Sequence, residues 1–221
     1  MLVSIVGGHG QIALALTRLL AADGTIVRSL IRNPGQATDV ELAGGVAVVV
    51  DFESASNEEI DRALEWSDVV VFAAGAGPGS GVERKESVDY GAAVRLREAA
   101  QRIGASRDQG PPRYVMISAV RADPAFPGND VFAVYQRAKG KADADLLASG
   151  IDHLIIRPVR LTDEPATGQI SLVRDADQLD SETVPRLDVA AVLAEVINHH
   201  PEAGGIWNLS TGGKPVIRAF A

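Results

Sequence analysis

Cysteine is absent from this sequence of 221 residues, which excludes disulfides, thiolate metal sites and cysteine nucleophiles. Basic residues are in the minority, with 21 lysines and arginines against 29 aspartates and glutamates and a net charge of -8. A chain this acidic is not expected to bind nucleic acid in general, because the phosphate backbone repels it. Tyrosine is also rare, and the 3 tyrosines are Tyr90, Tyr114 and Tyr135.

Long apolar runs are missing as well. No stretch reaches the length of about 20 residues that a membrane helix needs, and the run Leu2–Val6 lacks the basic flank of a secretory leader. We therefore expect a cytoplasmic protein without membrane contact. The adjacent His199 and His200 precede Pro201 at a predicted helix end, where histidines are commonly solvated, and we expect no metal site.

A glycine-rich turn follows the first apolar run. Leu2–Val6 has the pattern of a buried strand, and apolar residues at helical spacing follow from Ile12 onwards. Between them lies the G-x-x-G-x-x-A turn Gly7–Ala13. Such a turn admits a pyrophosphate to the backbone, while the free N–H groups of the first helical turn face the phosphates. An ordinary tight strand–helix turn is the alternative.

Apolar runs alternate with helical patterns along the whole chain. Such alternation predicts a parallel sheet covered by helices on both faces. The fold class we predict is α/β, a single-domain doubly wound Rossmann fold of about seven strands in the order 3-2-1-4-5-6-7. The predicted strands are Leu2–Val6, Thr25–Ile31, Val46–Val50, Asp68–Ala74, Arg113–Ser118, His153–Pro158 and Ile206–Leu209, and the predicted helices are Gln11–Ala22, Asn57–Glu65, Ser87–Ile103, Val131–Ser149 and Leu187–His199.

One domain is expected to span residues 1–221. Residues Val159–Pro185 are predicted to be irregular, apart from a short strand at Gln169–Val173. This stretch and the C-terminal tail, which has room for a short helix, are expected to form a small region around a substrate pocket.

The end of the second strand discriminates between the two nicotinamide dinucleotides. An acidic residue there hydrogen-bonds the ribose 2′-hydroxyl of NAD(H), whereas a basic residue accommodates the 2′-phosphate of NADP(H). Here the strand ends in Ile31-Arg32-Asn33 without an acidic residue. Because a guanidinium fork fits a phosphate, we predict NADP(H) over NAD(H). A solvated Arg32 is the alternative, and Arg28 is more typical of a structural arginine.

Two other strand ends are candidates for the same ligand. Asp51 follows the third strand, where its carboxylate fits either the adenine amino group or a local turn. The fourth strand ends in Ala73-Ala74-Gly75, and residues this small let a ribose lie against the backbone.

Tyr135 and Lys139 lie four residues apart in a predicted helix and therefore share one face. A nearby ammonium favours the phenolate and lowers a phenol pKa that is ordinarily about 10. At an effective dielectric of about 20, a charge about 4 Å away contributes about 4 kcal/mol. Ser118, at the end of the fifth strand, suits a hydrogen bond to a substrate carbonyl. Alternatively, Tyr135 only packs and Lys139 lies at the surface or holds a ribose.

With these motifs the chain resembles the short-chain dehydrogenase/reductase superfamily, and more narrowly its atypical NAD(P)H-binding members. The supporting stretches run in family order over almost the whole chain and include VSIVGGHGQIA, LIRNPGQA, DVVVFAAGAGPGSG, RYVMISAV and YQRAKGKADADLLASGIDHLIIRPVRLTDEP. The chain departs from the family in carrying His9 where alanine or a threonine-type residue is frequent. The atypical branch often lacks the tyrosine–lysine pair that is present here.

The resemblance implies a role for each matching position. The catalytic set would be Ser118, Tyr135 and Lys139. The residues implied in cofactor binding are Gly7, His9, Gly10, Gln11 and Ile12 at the pyrophosphate, Arg32 at the 2′-phosphate, Asp51 and Phe52 at the adenine, Ala73, Ala74 and Gly75 behind the ribose, Lys139, and Pro158 and Val159 beside the nicotinamide.

Three functions follow from these expectations. The first is an NADP(H)-dependent oxidoreductase that transfers a hydride to a small carbonyl, quinone or flavin-type acceptor. The second is a non-catalytic regulator that senses NADP(H), since the fold can bind the dinucleotide without turnover. The third is a sugar-nucleotide epimerase or dehydratase, although relatives with that chemistry usually have a larger C-terminal substrate domain.

Other residues leave alternatives open. Arg157 and Arg160 would meet an anionic substrate or make ordinary ion pairs. Asp89 either supports the active site or caps a helix. The predicted pocket loops have no recognisable chemistry, so the sequence indicates a small-molecule substrate without naming it. A homodimer through the helices Ser87–Ile103 and Val131–Ser149 is also compatible with the sequence.

Overall fold

The computed structural model describes residues 1–77 and 79–220. The sequence predicts a glycine-rich loop, Gly75–Gly81, after the fourth strand, and Pro78 of this loop lies outside the described residues, as does Ala221 in the predicted tail. Nine strands form the main sheet, in the order β11-β8-β10-β6-β5-β4-β1-β2-β3. The strands of this sheet are β1 (Leu2–Val6), β2 (Ile26–Ile31), β3 (Val46–Val49), β4 (Val69–Phe72), β5 (Arg113–Ile117), β6 (His153–Pro158), β8 (Gln169–Val173), β10 (Gly205–Thr211) and β11 (Lys214–Pro215), while β7 (Arg160–Thr162) and β9 (Thr183–Pro185) form a separate pair.

Helices cover both faces of the sheet. Two clusters of buried apolar residues lie on the two faces, one including Leu16 and Val189, the other including Leu96 and Leu146. Each cluster takes alternate residues of the same apolar strands, as in β4, where Val71 belongs to the first and Phe72 to the second. The α-helices are α1 (Gln11–Ala22), α2 (Ala37–Leu42), α3 (Asn57–Leu64), α4 (Val82–Arg84), α5 (Ala93–Gly104), α6 (Val131–Ala148) and α7 (Arg186–His199).

The predicted fold class and strand order are confirmed. The seven predicted strands are all present, and the last of them, β10, lies beside β6 as expected. The sheet is larger than predicted, because β8 pairs antiparallel with both β10 and β11. Within the stretch Val159–Pro185 the predicted short strand Gln169–Val173 is confirmed as β8, while the short strands β7 and β9 were not predicted. Strands of three residues carry too few positions for a period-2 pattern to be recognised.

The helix after the fourth strand begins earlier than the sequence predicts. Its first turn is α4, and Lys85–Ala92 then forms a π-helical segment that runs directly into α5. A π-helix places about one extra residue in each turn and is frequently found at functional sites. Here the segment brings Lys85 and Asp89 to buried positions against α6.

Two kinds of feature are absent from the residues that the structure describes. In residues 1–77 and 79–220, no helix has the length and apolar character required to cross a membrane. Within the same ranges, no cluster of three or more histidine, aspartate or glutamate side chains is arranged to hold a metal ion.

Candidate functional site

The glycine-rich turn packs its backbone against two neighbouring strands. Gly7 has φ +79°, and a Cβ on it would lie 2.6 Å from the Cα of Ala74. A Cβ on Gly8 would lie 2.5 Å from the Cβ of Ser29. Gly10 caps α1 without any side-chain hydrogen bond, so the first-turn N–H groups stay open to a ligand. This geometry fits a pyrophosphate at the N-terminus of α1.

A cleft of about 340 Å³ extends from this turn across the carboxyl ends of β1, β2, β3 and β4. We call it the first cleft. Most of the residues predicted to bind a cofactor line it, namely Gly7, His9, Gly10, Arg32, Asp51, Phe52, Ala73, Ala74 and Gly75. Gln11 and Ile12 do not line it, because Gln11 is exposed at the start of α1 and Ile12 packs in the core. The predicted contact of Gln11 and Ile12 with the pyrophosphate therefore depends on their backbone N–H groups.

Polar side chains in the first cleft already have partners. His9 Nε2 lies 2.7 Å from Asp39 Oδ2. Asp51 accepts hydrogen bonds from the backbone N–H of Glu53 at 3.0 Å and the hydroxyl of Ser54 at 3.1 Å. Asp51 therefore shapes its own turn, which was one of its two predicted roles, while it also faces the cleft.

Arg32 projects from the end of β2 into the first cleft and is 60% exposed. Its Nη1 atom lies 3.6 Å from Glu53 Oε2, and Arg84 Nη2 lies 3.0 Å from the same oxygen. Arg28, by contrast, donates to the carbonyl of Glu65, which is a structural contact. Sequence reasoning missed Arg84 and Glu53. Glu53 lies two residues beyond Asp51 and could have been predicted from the same strand end, whereas only the fold brings Arg84 to the first cleft.

A larger pocket of about 860 Å³ lies at the carboxyl ends of β5 and β6, and we call it the second pocket. Ser118, Tyr135, Pro158 and Val159, all predicted site residues, line it. Six charged residues also line the second pocket, namely Arg121, Arg160, Arg186, Asp177, Asp180 and Glu182. Residues of β7 and of the segment between β8 and β9 thus line the same pocket as Tyr135.

Ser118 is held by a buried carboxylate that the sequence did not predict. Its hydroxyl donates to Asp143 Oδ2 at 2.9 Å, and Arg157 binds the same oxygen through Nε at 2.8 Å and Nη2 at 2.7 Å. Burial raises the pKa of Asp143, although Arg157 and Ser118 oppose this. Because the hydroxyl of Ser118 donates its hydrogen bond to Asp143, Ser118 faces the second pocket as an acceptor, not as the predicted donor to a carbonyl.

Lys139 is buried beneath Tyr135 and lines neither cavity. Its ammonium donates to the carbonyl of Ile117 at 3.2 Å and lies 3.3 Å from Asp89 Oδ1. Burial by itself would lower the pKa of Lys139, but Asp89 and Tyr135 raise it above the ordinary value. Asp89 also accepts from the backbone N–H of Ala76 at 3.3 Å, so one carboxylate joins Lys139 to the loop after β4.

The predicted lowering of the pKa of Tyr135 is wrong for this structure. Burial raises the pKa, and the opposing effect of Lys139 is smaller, while Asp89 and Asp143 add to the increase. The reason is that burial of the phenol outweighs the charge of Lys139, and Asp89 offsets part of that charge. Lys85 lies over the Tyr135 ring at 5.3 Å and donates to the carbonyl of Gly77 at 2.9 Å. Sequence reasoning missed this buried lysine.

The other weighed residues have local roles. His200 pairs with Glu195 and Glu202, each at 3.3 Å, which agrees with the absence of a metal cluster among the described residues. Arg157 is an ion-pair partner of Asp143. Arg160 is exposed and lines the second pocket.

Known proteins resemble this chain over its full length. The uncharacterized sugar epimerase YhfK of Bacillus subtilis is 32% identical over 221 residues, covering 100% of this chain and 99% of the relative. A Bacillus halodurans structure, named provisionally as an NAD-dependent epimerase/dehydratase, has a TM-score of 0.86 and 28% identity, with 99% of this chain and 97% of that chain covered.

More distant structures share the fold alone. A short-chain dehydrogenase/reductase from Veillonella parvula, in complex with NADP, has a TM-score of 0.73 at 15% identity, and the match covers 97% of this chain and 96% of that chain.

The model of a family described as NAD(P)H-binding matches residues 7–200. With a Rossmann sheet, a glycine turn shaped for a pyrophosphate and this match over most of its length, the chain belongs to the NAD(P)H-binding family.

Proposed function

We propose that the protein is an NADP(H)-dependent oxidoreductase that reduces a small carbonyl, quinone or flavin-type acceptor in the second pocket. The observation that carries this proposal is the position of Tyr135, which lines the pocket one helical turn from the buried Lys139. An ionisable phenol at the carboxyl end of a Rossmann sheet suits a reaction in which a hydride reaches carbon and a proton reaches oxygen.

The first cleft supports the nicotinamide dinucleotide as the reductant. Its glycine turn leaves no room for side chains at Gly7 and Gly8, so the backbone is free to meet a pyrophosphate. Arg32 suits the 2′-phosphate of NADP(H). NADP(H), when bound, supplies the hydride.

Tyr135 supports reduction more than oxidation. Because burial raises its pKa, the phenol keeps its proton at neutral pH and can donate it to the oxygen of a carbonyl. When a hydride reaches the carbonyl carbon, the C=O double bond becomes a C–O single bond and a C–H bond forms, while the oxygen takes the proton of Tyr135 as its O–H bond and leaves Tyr135 as a phenolate. Lys139 stabilises that phenolate, which then recovers a proton from water.

Ser118 and Asp143 shape the pocket beside the reacting groups in this proposal. The hydroxyl of Ser118 is oriented by Asp143, and Asp143 in turn is held by Arg157. A substrate carbonyl therefore receives its proton from Tyr135, while Ser118 fixes the shape and polarity of the pocket floor.

Sugar-nucleotide epimerisation is the second candidate. The Bacillus subtilis relative is named a sugar epimerase, and six charged side chains surround the second pocket of about 860 Å³. A pocket of this size and polarity suits a substrate that carries many hydroxyl groups. An epimerase would return the hydride to its substrate and would show no net oxidation of NADPH.

The test is NADPH oxidation by the pure protein with a panel of quinones, aldehydes, ketones and flavins. Tyr135→Phe removes the proton donor, and Tyr90→Phe is the matched control because no hydrogen bond to its hydroxyl is present among the described residues. We expect kcat with carbonyl acceptors to fall by about 100-fold or more in Tyr135→Phe and to change little in Tyr90→Phe.

Three results would contradict parts of the proposal. Equal turnover by Tyr135→Phe and the wild type would remove Tyr135 as the proton donor. NADPH binding without turnover of any acceptor would favour the sensor. Exchange of substrate stereochemistry without net NADPH oxidation would establish the epimerase.

A further inference from the structure

One carboxylate lies between two arginines at the outer end of the first cleft. Glu53 Oε2 is 3.0 Å from Arg84 Nη2 and 3.6 Å from Arg32 Nη1, while Ser87 donates to Glu53 Oε1 at 2.7 Å. Arg32, Arg84 and Glu53 all line the first cleft. The two arginines thus form an anion-binding site, and the carboxylate of Glu53 occupies it.

Three separate segments build this position. Arg32 follows β2, Glu53 follows the neighbouring β3, and Arg84 ends α4 in the segment after β4. The strand ends β2 and β3 are where a Rossmann fold meets the adenosine ribose. Arg84 reaches the same place from the segment after β4.

The ion pairs contribute little to folding. The side chains of Arg32 and Arg84 are 60% and 41% exposed, and exposed ion pairs add little stability. Two guanidinium groups around one oxygen do, however, match a phosphate, which accepts several charge-assisted hydrogen bonds. A ribose 2′-hydroxyl would instead donate to the carboxylate of Glu53.

We propose that Arg84 is a second arm for the 2′-phosphate of NADP(H), and that Glu53 is a built-in competitor for both arginines. The inference rests on the proposed use of NADP(H). A 2′-phosphate displaces Oε2 of Glu53 from Arg32 and Arg84, whereas NAD(H) leaves the ion pairs in place and donates its 2′-hydroxyl to Glu53. Glu53 therefore reduces the preference for NADP(H) over NAD(H) that the two arginines create.

Binding measurements on the full chain test the inference without turnover. Isothermal titration calorimetry would give Kd values for NADPH, NADH, adenosine 2′,5′-bisphosphate and 5′-AMP. The variants are Arg84→Gln, Arg32→Gln and Glu53→Gln, and Arg218→Gln is the matched control, because Arg218 is exposed and lies outside both cavities. Thermal unfolding of each variant shows that it is folded.

For Arg84→Gln we expect Kd to rise about tenfold or more for NADPH and adenosine 2′,5′-bisphosphate. The Kd values for NADH and 5′-AMP should stay within about twofold, because neither has a 2′-phosphate. Glu53→Gln should bind NADPH roughly tenfold tighter and NADH more weakly. Arg218→Gln should match the wild type for all four ligands.

Two outcomes would overturn the inference, and they are distinguishable from failure of the proposed function. If Arg84→Gln binds NADPH like the wild type while Arg32→Gln does not, Arg84 is only a structural partner of Glu53 and the NADP(H) preference stands. If Glu53→Gln weakens NADPH, Glu53 supports the phosphate site and does not compete with it. A wild type that binds NADH more tightly than NADPH would instead refute the cofactor preference itself.

Discussion

The first cleft and the buried charges beneath the second pocket use charge in opposite ways. In the first cleft the side chains of Arg32 and Arg84 are 60% and 41% exposed, and the glycine turn offers its backbone to a ligand. Beneath the second pocket the charges are buried, with Lys139 at 5% and Asp89 at 1% exposed. Exposed charges are screened by water, whereas an unpaired buried charge is costly.

This difference separates ligand preference from stability. Arg32 or Arg84 can be replaced with little effect on the free energy of unfolding, because water solvates the charges that remain in the first cleft. A charge beneath the second pocket cannot, since its partner would be left buried and unpaired. The buried groups also form a connected series from Asp89 through Lys139 to the face of α6 that carries Asp143.

The largest expected effect comes from Lys139→Met. The substitution leaves Asp89 buried without its cation, and we expect a loss of about 3–5 kcal/mol in the free energy of unfolding. Lys141→Met is the matched control, because Lys141 pairs with Glu86 at 3.0 Å near the surface, and its loss should stay below about 1 kcal/mol. Urea unfolding measures both.

A double variant sharpens this prediction. Adding Asp89→Asn to Lys139→Met removes the unpaired charge and should recover a large part of the lost stability. Equal losses for Lys139→Met and Lys141→Met would show that the buried pair is not special, and the contrast between the two regions would fail.

The next largest effect is expected at the backbone of the first cleft. Gly7→Ala combines φ +79° with a Cβ 2.6 Å from the Cα of Ala74, while Gly24→Ala has φ +80° and nothing within 4 Å of its Cβ. We expect Gly24→Ala to cost about 1–2 kcal/mol and Gly7→Ala about 2–4 kcal/mol. Urea unfolding measures both, and only Gly7→Ala should weaken dinucleotide binding, as followed by calorimetry.

Equal behaviour of the two glycine variants would contradict this account. If Gly24→Ala weakened dinucleotide binding as much as Gly7→Ala, backbone strain alone would explain the effect. The close approach of the turn to Ala74 would then have no part in shaping the cleft.

The smallest effect concerns a buried phenol away from both cavities. Tyr114 is fully buried and donates to the carbonyl of Ala93 at 3.0 Å. Burial raises its pKa above the ordinary value of 10.0. A raised folded pKa means that stability is full below pH 10 and falls as the pH rises further.

Tyr114→Phe isolates this contribution. At neutral pH the variant should lose about 1 kcal/mol with the hydrogen bond. At about pH 11 the difference from the wild type should shrink or reverse, because only the wild type must keep this phenol protonated. Urea midpoints at both pH values provide the measurement, and a difference that grows at high pH would contradict the assigned sign.

Much of the first cleft could be predicted because its signals are local. Gly7 and Gly10 lie within one turn, and Arg32 ends a strand whose register follows from its apolar pattern. The spacing of Tyr135 and Lys139 is equally local, since residues four apart in a helix always share a face. Their roles in binding and catalysis stay predictions that the variants above test.

The partners of these residues could not be predicted. Asp89 reaches Lys139 across 50 positions of sequence, and Arg84 reaches Glu53 across 31. No periodicity encodes such pairs, because they depend on how α6 and the π-helical segment pack. The sequence also predicted a lowered pKa for Tyr135, which is wrong. The prediction considered the charge of Lys139 but neither the burial of the phenol nor Asp89, and both depend on tertiary packing.

The sequence by itself determined the family, the order of the first strands, the glycine turn and the helical face shared by Tyr135 and Lys139. These features depend on residues that are neighbours along the chain. Only the tertiary structure decided that Asp143 accepts the hydrogen bond of Ser118, that Asp89 balances Lys139, and that Glu53 lies between Arg32 and Arg84. Charges interact through space, so their balance is fixed only when distant segments pack together.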